Sequence, residues 1–413
     1  MRSKKWHVLG IFLLATIGCS AGQMMALPLA PFLIRDLHFS KIELGLVFSS
    51  VSWGPITTAI FWGWLTDRIG EKNVLPLGAG IVVLGLVAFS CGTGLATLVL
   101  SGLLIGTGFA CLLPLTNRGI AVWFPASERA LAIGIKQAGV PVGAAVVAAF
   151  LPTLALAGGW RFAVRMTALF TFILGAVSVA LYWPAAKSKN ISTFSCGATA
   201  TSNPAAYLLP GKKVFVNIIV LGLSFIMVQH VVQGFTVPYF QEVLAFSEVT
   251  CGYYLALVQI SGGLGRPVYG FVNDYLFKGR HPASLFSLAL VVAGATLLFS
   301  LLAPASSFYS VLVLTFVLGF TSMAWIGPYY ALLTEALGSR RAGFAGGLGQ
   351  TINSAGIAAA SPIFGWIIDT TNSYRVAFQA FAAWLVFAAV LLFMAFYASP
   401  LGGQRKNAGN NLR

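Results

Sequence analysis

The segment 63–72 reads Gly-Trp-Leu-Thr-Asp-Arg-Ile-Gly-Glu-Lys and lies between two apolar runs, 42–65 and 74–92. A helix needs about 20 mostly apolar residues to cross a hydrocarbon layer of roughly 30 Å, and both runs approach or exceed that length. Backbone N–H and C=O groups in hydrocarbon must be paired internally, which a single helix achieves by itself. The segment therefore predicts a short charged loop between two transmembrane helices.

The composition extends this interpretation to the whole chain. Apolar residues make up 58% of the 413 residues and charged residues only 8%, whereas about a quarter of a soluble domain is charged. This composition excludes a soluble core and predicts an all-α integral membrane protein. We predict twelve transmembrane helices, at about residues 8–34, 42–65, 74–92, 96–123, 130–156, 162–182, 214–240, 252–272, 284–303, 310–335, 345–368 and 375–397.

An internal repeat divides the predicted helices into two sets of six. Seven residues recur 207 positions later, namely Pro31, Leu37, Phe39, Ser40, Gly45, Gly63 and Asp67 as Pro238, Leu244, Phe246, Ser247, Gly252, Gly270 and Asp274. From the fourth predicted helix the offset is 211, which matches Gly108, Phe109 and Arg129 with Gly319, Phe320 and Arg340. We predict an N-terminal six-helix bundle at 1–184, a cytoplasmic linker at 185–213, a C-terminal six-helix bundle at 214–399 and a cytoplasmic tail at 400–413.

The loop at 63–72 resembles the G-x-L-x-D-R-x-G-R-K signature of the major facilitator superfamily, which lies between transmembrane helices 2 and 3. Glu71 departs from the signature, because a basic residue usually stands there. A weaker copy follows, in which Gly270 and Asp274 keep their spacing and Tyr275 replaces the arginine. The resemblance implies two pseudo-symmetric bundles, a substrate cavity between them lined by helices 1, 4, 7 and 10, and transport by alternating access.

The formal net charge of +15 is explained by retention of Lys and Arg in cytoplasmic segments, so we predict no binding of nucleic acid. With both termini in the cytoplasm, about 18 of the 25 Lys and Arg residues lie on the cytoplasmic side and about five outside. The short loops favour a bacterial inner membrane, and we expect a monomer. Acidic lipid headgroups are a sufficient partner for the basic residues near the termini, Arg2, Lys4, Lys5, Arg405 and Lys406.

Polar residues inside the predicted helices mark faces that line a polar interior, because such residues are costly in lipid. The predicted helices that face the cavity carry three cationic residues, Arg118, Lys136 and Arg266, and no carboxylate lies clearly inside a predicted helix. A guanidinium presents a planar set of donors that suits a carboxylate or phosphate, so we predict an organic anion, most simply a carboxylate, as substrate. The predicted substrate-binding residues are Gln23, Asn117, Arg118, Lys136, His230, Gln233, Arg266, Tyr329, Gln350 and Asn353.

Several of these residues also have a structural alternative. Arg118 and Lys136 lie near enough to the cytoplasmic ends of their helices to extend toward water. His230 either exchanges a coupling proton or makes an ordinary buried hydrogen bond. Arg266 lies deeper and precedes Pro267, a pair that resembles the eighth helix of the monocarboxylate transporters, whose arginine holds the substrate carboxylate. The segment 123–143 resembles monocarboxylate transporters, anion:cation symporters and nitrate porters alike.

Charged residues at the cytoplasmic helix ends are predicted to serve the conformational cycle. By resemblance to the family, they form ion pairs that hold the outward-open state and separate when the protein opens inward. The predicted gating residues are Asp67, Arg68, Glu128, Arg129, Asp274, Glu335 and Arg340. The basic members also favour the cytoplasmic side by themselves.

Two other functions stay open at this point. A proton-coupled drug exporter is the alternative within the family, but Gly102 stands where its helix 4 motif has an arginine, and Val140 interrupts its Gly-Pro pair. A receptor or an enzyme is the alternative from another class, although the sequence has no nucleophile with an evident base and no extramembrane domain. The five cysteines are scattered singly, so we predict no metal site, and no cofactor beyond a coupling ion, a proton.

Overall fold

The computed structural model describes residues 2–187, 212–278, 280–337 and 342–398. Within these ranges the chain is helical and contains no β-strand. The linker predicted at 185–213 lies outside the described residues except at its two ends, and the tail predicted at 400–413 lies wholly outside them. In chain order the helices are α1 (Arg2–Met24), α2 (Ala30–Leu37), α3 (Lys41–Ile69), α4 (Glu71–Ser90), α5 (Leu95–Ala110), α6 (Leu112–Trp123), α7 (Ala126–Gln137), α8 (Gly139–Lys187), α9 (Lys212–Glu242), α10 (Glu248–Tyr275), α11 (His281–Ser300), α12 (Phe308–Ser322), α13 (Ile326–Leu337), α14 (Ala342–Thr371) and α15 (Tyr374–Ala398).

Ten helical stretches in the described part of the chain are long and apolar enough to cross a membrane. One of them, Ala132–Tyr182, has 51 residues and bends where Gly159 takes a φ of 81°, so it supplies two crossings. The 28 residues of α10 are not among the ten, but at 1.5 Å per residue this helix is about 42 Å long and completes a set of twelve. The predicted number of crossings agrees with this arrangement.

The crossings are numbered along the chain. Crossing 1 comprises α1 and α2, crossing 4 comprises α5 and α6, and crossing 10 comprises α12 and α13. Crossing 5 comprises α7 and the first arm of α8, and the second arm of α8 is crossing 6. Crossings 2, 3, 7, 8, 9, 11 and 12 are α3, α4, α9, α10, α11, α14 and α15. Each half has six crossings, so both ends of each half lie at one membrane face, called the near end; the opposite face is the far end.

Two repeated serines begin equivalent helices. Ser40 precedes α3, where its Oγ accepts a hydrogen bond of 3.3 Å from the backbone N–H of Glu43 while the Glu43 carboxylate accepts one of 2.9 Å from the Ser40 N–H. Ser247 precedes α10 and accepts a hydrogen bond of 3.3 Å from the N–H of Thr250. Such caps pair N–H groups that the first helical turn leaves without partners, which explains why serine recurs at the 207-residue offset.

Glycines allow the two halves of the chain to approach closely on the far-end side of the membrane. There α3 of the first half packs on α14 of the second, and α8 of the first half packs on α10 of the second. A Cβ atom added at Gly45 would lie 2.3 Å from the carbonyl oxygen of Ser361, and one added at Gly252 would lie 2.4 Å from that of Ala148. Gly45 and Gly252 are equivalent in the repeat, so glycine permits close backbone approach at both contacts between the halves. Small residues permit this backbone approach in membrane proteins.

Crossings 4 and 10 are both interrupted near their middle. Crossing 4 breaks at Cys111, and crossing 10 breaks at 323–325. A proline follows each break, Pro114 and Pro328, and proline has no N–H to donate to the carbonyl four residues earlier. Interrupted helices of this kind are typical of substrate sites in transporters, because their free backbone groups require a polar interior.

Substituting the interface glycines tests the contact between the halves. We expect Gly45→Ala and Gly252→Ala each to destabilise the protein by about 1–3 kcal/mol, because the added methyl group forces the helices apart. The effect opposes the gain of up to about 1 kcal/mol that alanine brings to a helix interior. The measurement is the midpoint of thermal unfolding in detergent.

Gly294→Ala is the matched control, because a Cβ atom at this α11 position meets nothing within 4 Å. Its midpoint is expected to stay or rise. Equal midpoints for all three variants would contradict the close approach of the halves.

Candidate functional site

Charged residues join the two halves at the far end. Lys41 forms an ion pair with Glu242, whose carboxylate also accepts a hydrogen bond of 3.1 Å from Tyr374 Oη. Asp369 accepts hydrogen bonds from the backbone N–H groups of Lys41, at 3.1 Å, and Ile42, at 2.8 Å. These N–H groups begin α3 and have no partner within it, so the carboxylate pairs them and opposes the positive end of the helix dipole. These four residues, Lys41, Glu242, Asp369 and Tyr374, are called the far-end network.

The sequence analysis missed the far-end network. The available signal was that no carboxylate lies clearly inside a predicted helix, and no role was assigned to Glu242 or Asp369. Asp369 and Lys41 are 328 positions apart, and Glu242 and Lys41 are 201 apart. Packing of crossing 2 on crossing 11 brings Asp369 to Lys41, and crossing 7, which packs on crossing 11, brings Glu242 to the same place.

Crossing 7 uses glutamines to contact crossings 8 and 10. Gln229 Oε1 accepts a hydrogen bond of 2.9 Å from Trp325 Nε1, and Gln233 Nε2 donates one of 3.1 Å to Gln259 Oε1. His230 lies between them in sequence, is 4% exposed, and has no hydrogen-bond partner for Nε2 in the described part of the chain. Gln229 and Gln233 thus hold the interior together, whereas His230 keeps one free ring nitrogen.

Arg266 lies on the same face of α10 as Gln259, because seven residues make nearly two helical turns. Along the axis the two positions are about 10 Å apart, with Arg266 nearer the near end. Its side chain is partly buried, and Nε makes no hydrogen bond within the described ranges. None of the ion pairs formed by described residues includes Arg266. Its positive charge therefore has no carboxylate partner in that part of the protein.

Crossings 10 and 11 contribute further polar groups. Tyr329 is fully buried against Gly222 of crossing 7, where an added Cβ atom would lie 2.3 Å from Tyr329 Oη, and this hydroxyl has no described partner. Asn353 Nδ2 donates a hydrogen bond of 3.3 Å to Tyr330 Oη, while Asn353 Oδ1 stays without a described partner. Gln350 lies one turn away from Asn353 and is partly buried. One helix face thus carries two amide side chains, as the spacing predicts.

The first half supplies fewer free groups. Gln23 Oε1 on crossing 1 is buried without a partner in the described ranges. Lys136 is 2% exposed, and its Nζ donates a hydrogen bond of 3.1 Å to Thr116 Oγ1 on crossing 4. Asn117, the next residue on that helix, is exposed. Lys136 therefore lies inside the first half rather than extending to water at the membrane face.

Buried atoms without a described partner occur on five crossings that the polarity pattern selected. Among them are atoms of Gln23, His230, Arg266, Tyr329 and Asn353, on crossings 1, 7, 8, 10 and 11. Leaving a buried polar group unpaired costs about 1–3 kcal/mol, so groups of this kind require a reason. A polar molecule bound between the crossings would pair them, and the guanidinium and hydroxyl among them are hydrogen-bond donors.

Arg118 is not an unpaired cation, which corrects the reason for assigning it to the substrate. Its Nε lies 3.6 Å from Glu71 Oε2, and Nη1 donates a hydrogen bond to the carbonyl oxygen of Thr66. Tyr182 Oη donates a hydrogen bond of 2.9 Å to Glu71 Oε1, and Glu71 is 3% exposed. The sequence analysis counted Glu71 as a loop residue, whereas it begins α4 and lies against crossings 4 and 6. The departure from the loop signature supplies the negative charge that Arg118 requires.

The near-end residues of the first half also pair locally. Glu128 forms an ion pair with Lys5, which corrects the expectation that lipid headgroups suffice as the partner of Lys5. The Arg68 guanidinium lies 5.2 Å from the centre of the Trp64 ring, within range of a cation–π interaction. The side chain of Arg129 lies outside the described part of the structure. Ion pairs from these residues to the second half stay a prediction.

The near-end residues of the second half form a group of their own. Asn273 Nδ2 donates a hydrogen bond of 2.9 Å to Asp274 Oδ1. His281 contacts Asn273 through one ring nitrogen and Glu335 through the other. Arg340 lies outside the described residues. The gating role of Asp274 and Glu335 likewise stays a prediction.

Removing the partners of Arg118 one at a time tests the corrected assignment. Tyr182→Phe deletes one hydrogen bond to a carboxylate, so we expect it to lower the stability by about 1–2 kcal/mol. Glu71→Gln leaves Arg118 without its counter-charge and is expected to cost about 1–3 kcal/mol, since Arg118 keeps some exposure to water. Unfolding midpoints in detergent provide the measurement.

The double variant Glu71→Gln with Arg118→Gln is the control. Neutralising both partners is expected to recover part of the loss, as a double-mutant cycle reports. A strictly additive loss would show that the two side chains do not interact.

Comparison with known proteins identifies the fold and the family. A solved bacterial homolog of the human lysosomal transporter Spinster, in an inward-facing and unoccupied conformation, matches with a TM-score of 0.78 at 18% identity, over 96% of this chain and 97% of that one. A hexuronate transporter of Bacillus subtilis (strain 168) is 26% identical over 403 residues, 92% of either chain. Monocarboxylate transporter 13 of Rattus norvegicus is 26% identical over 328 residues, 78% of this chain and 72% of the relative.

The family model described as Major Facilitator Superfamily matches residues 12–361 and 219–411. Together these ranges cover nearly the whole chain. The predicted fold class is confirmed, as is the prediction that this multi-pass membrane protein is a transporter and not an enzyme. The chain belongs to the Major Facilitator Superfamily.

Proposed function

We propose that the protein moves a small organic anion across the membrane by alternating access, and that a carboxylate is its preferred substrate. The observation that carries this proposal is Arg266, a cation on a crossing with no carboxylate partner in the described part of the chain. A guanidinium in a membrane interior is costly unless an anion joins it, and a carboxylate fits its planar donors. The substrate carboxylate takes this place beside Arg266.

The charges of the crossings support an anion over a cation. Glu71 neutralises Arg118, so Arg118 adds little to the field of the interior. Lys136 on crossing 5 and Arg266 on crossing 8 have no described carboxylate partner. Lys136 lies apart, against Thr116 in the first half, and contributes a positive potential rather than a direct contact. The field of the whole cavity then attracts negative substrates.

Neutral groups complete the proposed binding site. His230, Tyr329 and Asn353 each keep a buried atom without a described partner on crossings of the second half, and Gln23 does so on crossing 1 of the first half. A carboxylate beside Arg266 leaves the rest of the substrate to these groups, which hydrogen-bond hydroxyl or carbonyl oxygens. The names of two relatives, a hexuronate and a monocarboxylate transporter, support a carboxylate as the shared feature.

The conformational part of the proposal follows from the far end. The far-end network and the glycine contacts join the halves there, which supports a state closed at the far end, and in the proposed cycle the near end is then the open one. The bundles at 1–184 and 214–399 rock about the cavity as units, and breaking the far-end network opens the other side. The near-end gating residues pair across the halves in that second state.

The excess of Lys and Arg residues in near-end segments supports a cytoplasmic near end in a bacterial cell. The protein then acts as a monomer in the inner membrane, surrounded by lipid. A proton is the proposed coupling ion, with His230 as the buried group that exchanges it.

Uptake into proteoliposomes tests the role of Arg266. Radiolabelled lactate and glucuronate are offered beside a labelled lipophilic cation. We expect uptake of at least one of the anions, and Arg266→Gln is expected to lower it at least about 30-fold, since losing one buried charge-assisted contact costs 2 kcal/mol or more.

Arg35→Gln is the matched control, because Arg35 is an exposed far-end arginine that pairs with its neighbour Asp36. Uptake by this variant is expected to equal that of the parent protein. Uptake of the lipophilic cation alone, or anion uptake that survives Arg266→Gln, would refute the proposal and favour export of drugs or other small molecules.

A further inference from the structure

Two close contacts between crossings 5 and 8 determine how these helices face each other. A Cβ atom added at Gly252 would lie 2.7 Å from Pro152 Cγ. One added at Gly263 would lie 3.4 Å from Pro141 Cβ. The contact positions are 11 residues apart on either helix, which is about three turns, so they form one face of each helix. The helices run antiparallel, because crossing 5 leads away from the near end and crossing 8 leads toward it.

The next turn toward the near end brings Gln137 and Arg266 opposite each other. Gln137 lies four residues before Pro141 on crossing 5, and Arg266 lies three residues after Gly263 on crossing 8, so both continue the contact faces. Close packing ends at this level, because α8 packs on α10, whereas α7 packs on α1, α6 and α8. A Cβ atom added at Gly134, on the same face of α7, meets nothing within 4 Å. The halves thus part here and leave a space between Gln137 and Arg266.

Neither side chain has a partner that occupies it. Gln137 is partly buried and makes no hydrogen bond within the described ranges, as is true of Arg266 Nε. The neighbour Lys136 donates its hydrogen bond to Thr116 on crossing 4. Successive residues of a helix are about 100° apart around its axis, so Gln137 faces away from that contact. Its amide is available to a ligand in the space between the halves.

The direction of the two helices places the side chains at different depths. A helical side chain leans toward the N-terminus of its own helix. Arg266 therefore leans toward the far end, beneath the closed contact, and Gln137 leans toward the near end, over the opening. A ligand between them meets the guanidinium at its inner end and the amide at its outer end.

The internal repeat shows that this polar pair occurs at one of the two contacts between the halves. The 207-residue offset makes Ala59 of crossing 2 equivalent to Arg266, and the 211-residue offset makes Leu348 of crossing 11 equivalent to Gln137. Both equivalents are apolar, so the repeated architecture does not require polar residues there. The pair is an addition to the fold at the level where the halves part.

We propose that Gln137 is a substrate-binding residue, supplied by the first half opposite Arg266. The guanidinium holds the substrate carboxylate, and the Gln137 amide hydrogen-bonds a hydroxyl or carbonyl oxygen at the other end of the molecule. A bound substrate then contacts both halves, so it favours the movement of α7 toward α10 that closes the near end. This inference deepens the proposed function and rests on its assignment of Arg266 to the substrate.

A charge placed at position 137 tests the juxtaposition without any substrate. Gln137→Glu sets a carboxylate opposite the unpaired guanidinium, and we expect the midpoint of thermal unfolding in detergent to rise by about 2 °C or more. In the Arg266→Gln background the same change is expected to lower the midpoint, because no cation then offsets the added charge. The four proteins form a double-mutant cycle that isolates the interaction of the two side chains.

Uptake of radiolabelled lactate and glucuronate into proteoliposomes tests the contact with substrate. Gln137→Ala is expected to lower uptake at low substrate concentration about three- to tenfold, since it removes one neutral hydrogen bond. Gln137→Glu is expected to lower it at least about 30-fold, because its carboxylate takes the place of the substrate carboxylate at Arg266. Gln379→Ala is the matched control at a partly buried glutamine of crossing 12, and its uptake is expected to equal that of the parent protein.

The outcomes separate this inference from the proposed function. A midpoint that falls equally with Gln137→Glu in both backgrounds would show that Gln137 does not face Arg266, and anion uptake that depends on Arg266 would still support the proposed function. Coupled midpoints with undiminished anion uptake by Gln137→Ala and Gln137→Glu would overturn the substrate contact alone. A parent protein that takes up neither anion would overturn the proposed function and the substrate contact together.

Discussion

The cost of leaving a polar or charged group unpaired in hydrocarbon governs this structure. It makes the crossings helical, and it requires a polar interior beside the breaks of crossings 4 and 10, where backbone groups lack helical partners. It also explains why Glu71 replaces a basic residue of the loop signature. Glu71 lies against Arg118 and Tyr182, so the substitution keeps a guanidinium beside the interior at lower cost.

The same constraint shapes the contact between the halves. Gly45 and Gly252 bring helix backbones together at equivalent places, so dispersion contacts replace the hydrophobic effect that lipid does not provide. Asp369 then crosses from one half to pair the first N–H groups of α3 in the other. A carboxylate at an exposed helix N-terminus contributes about 0.3–1 kcal/mol, and losing it leaves both helices intact. This property suits a contact that has to form and separate in each transport cycle.

The charges divide into three groups with different proposed tasks. Arg118 is neutralised inside the first half, Arg266 has no described counter-charge and awaits an anion, and the acids near His281 are held in the second half. Substrate recognition and control of the near-end gate therefore involve different residues.

The sequence by itself determined the number of crossings, the repeat, the family and the polar residues of the interior, because apolar length, spacing and polarity are local properties. The recurrence of Ser40 as Ser247 is visible in the sequence, but their role as helix caps is visible only in the structure. Tertiary structure decided which polar residues already have partners. Glu71 and Arg118, or Asp369 and Lys41, are distant in the chain, and neither spacing nor composition records that packing brings them within hydrogen-bond or ion-pair distance. Whether a buried charge is free to bind substrate depends on such long-range neighbours, so that property belongs to the fold.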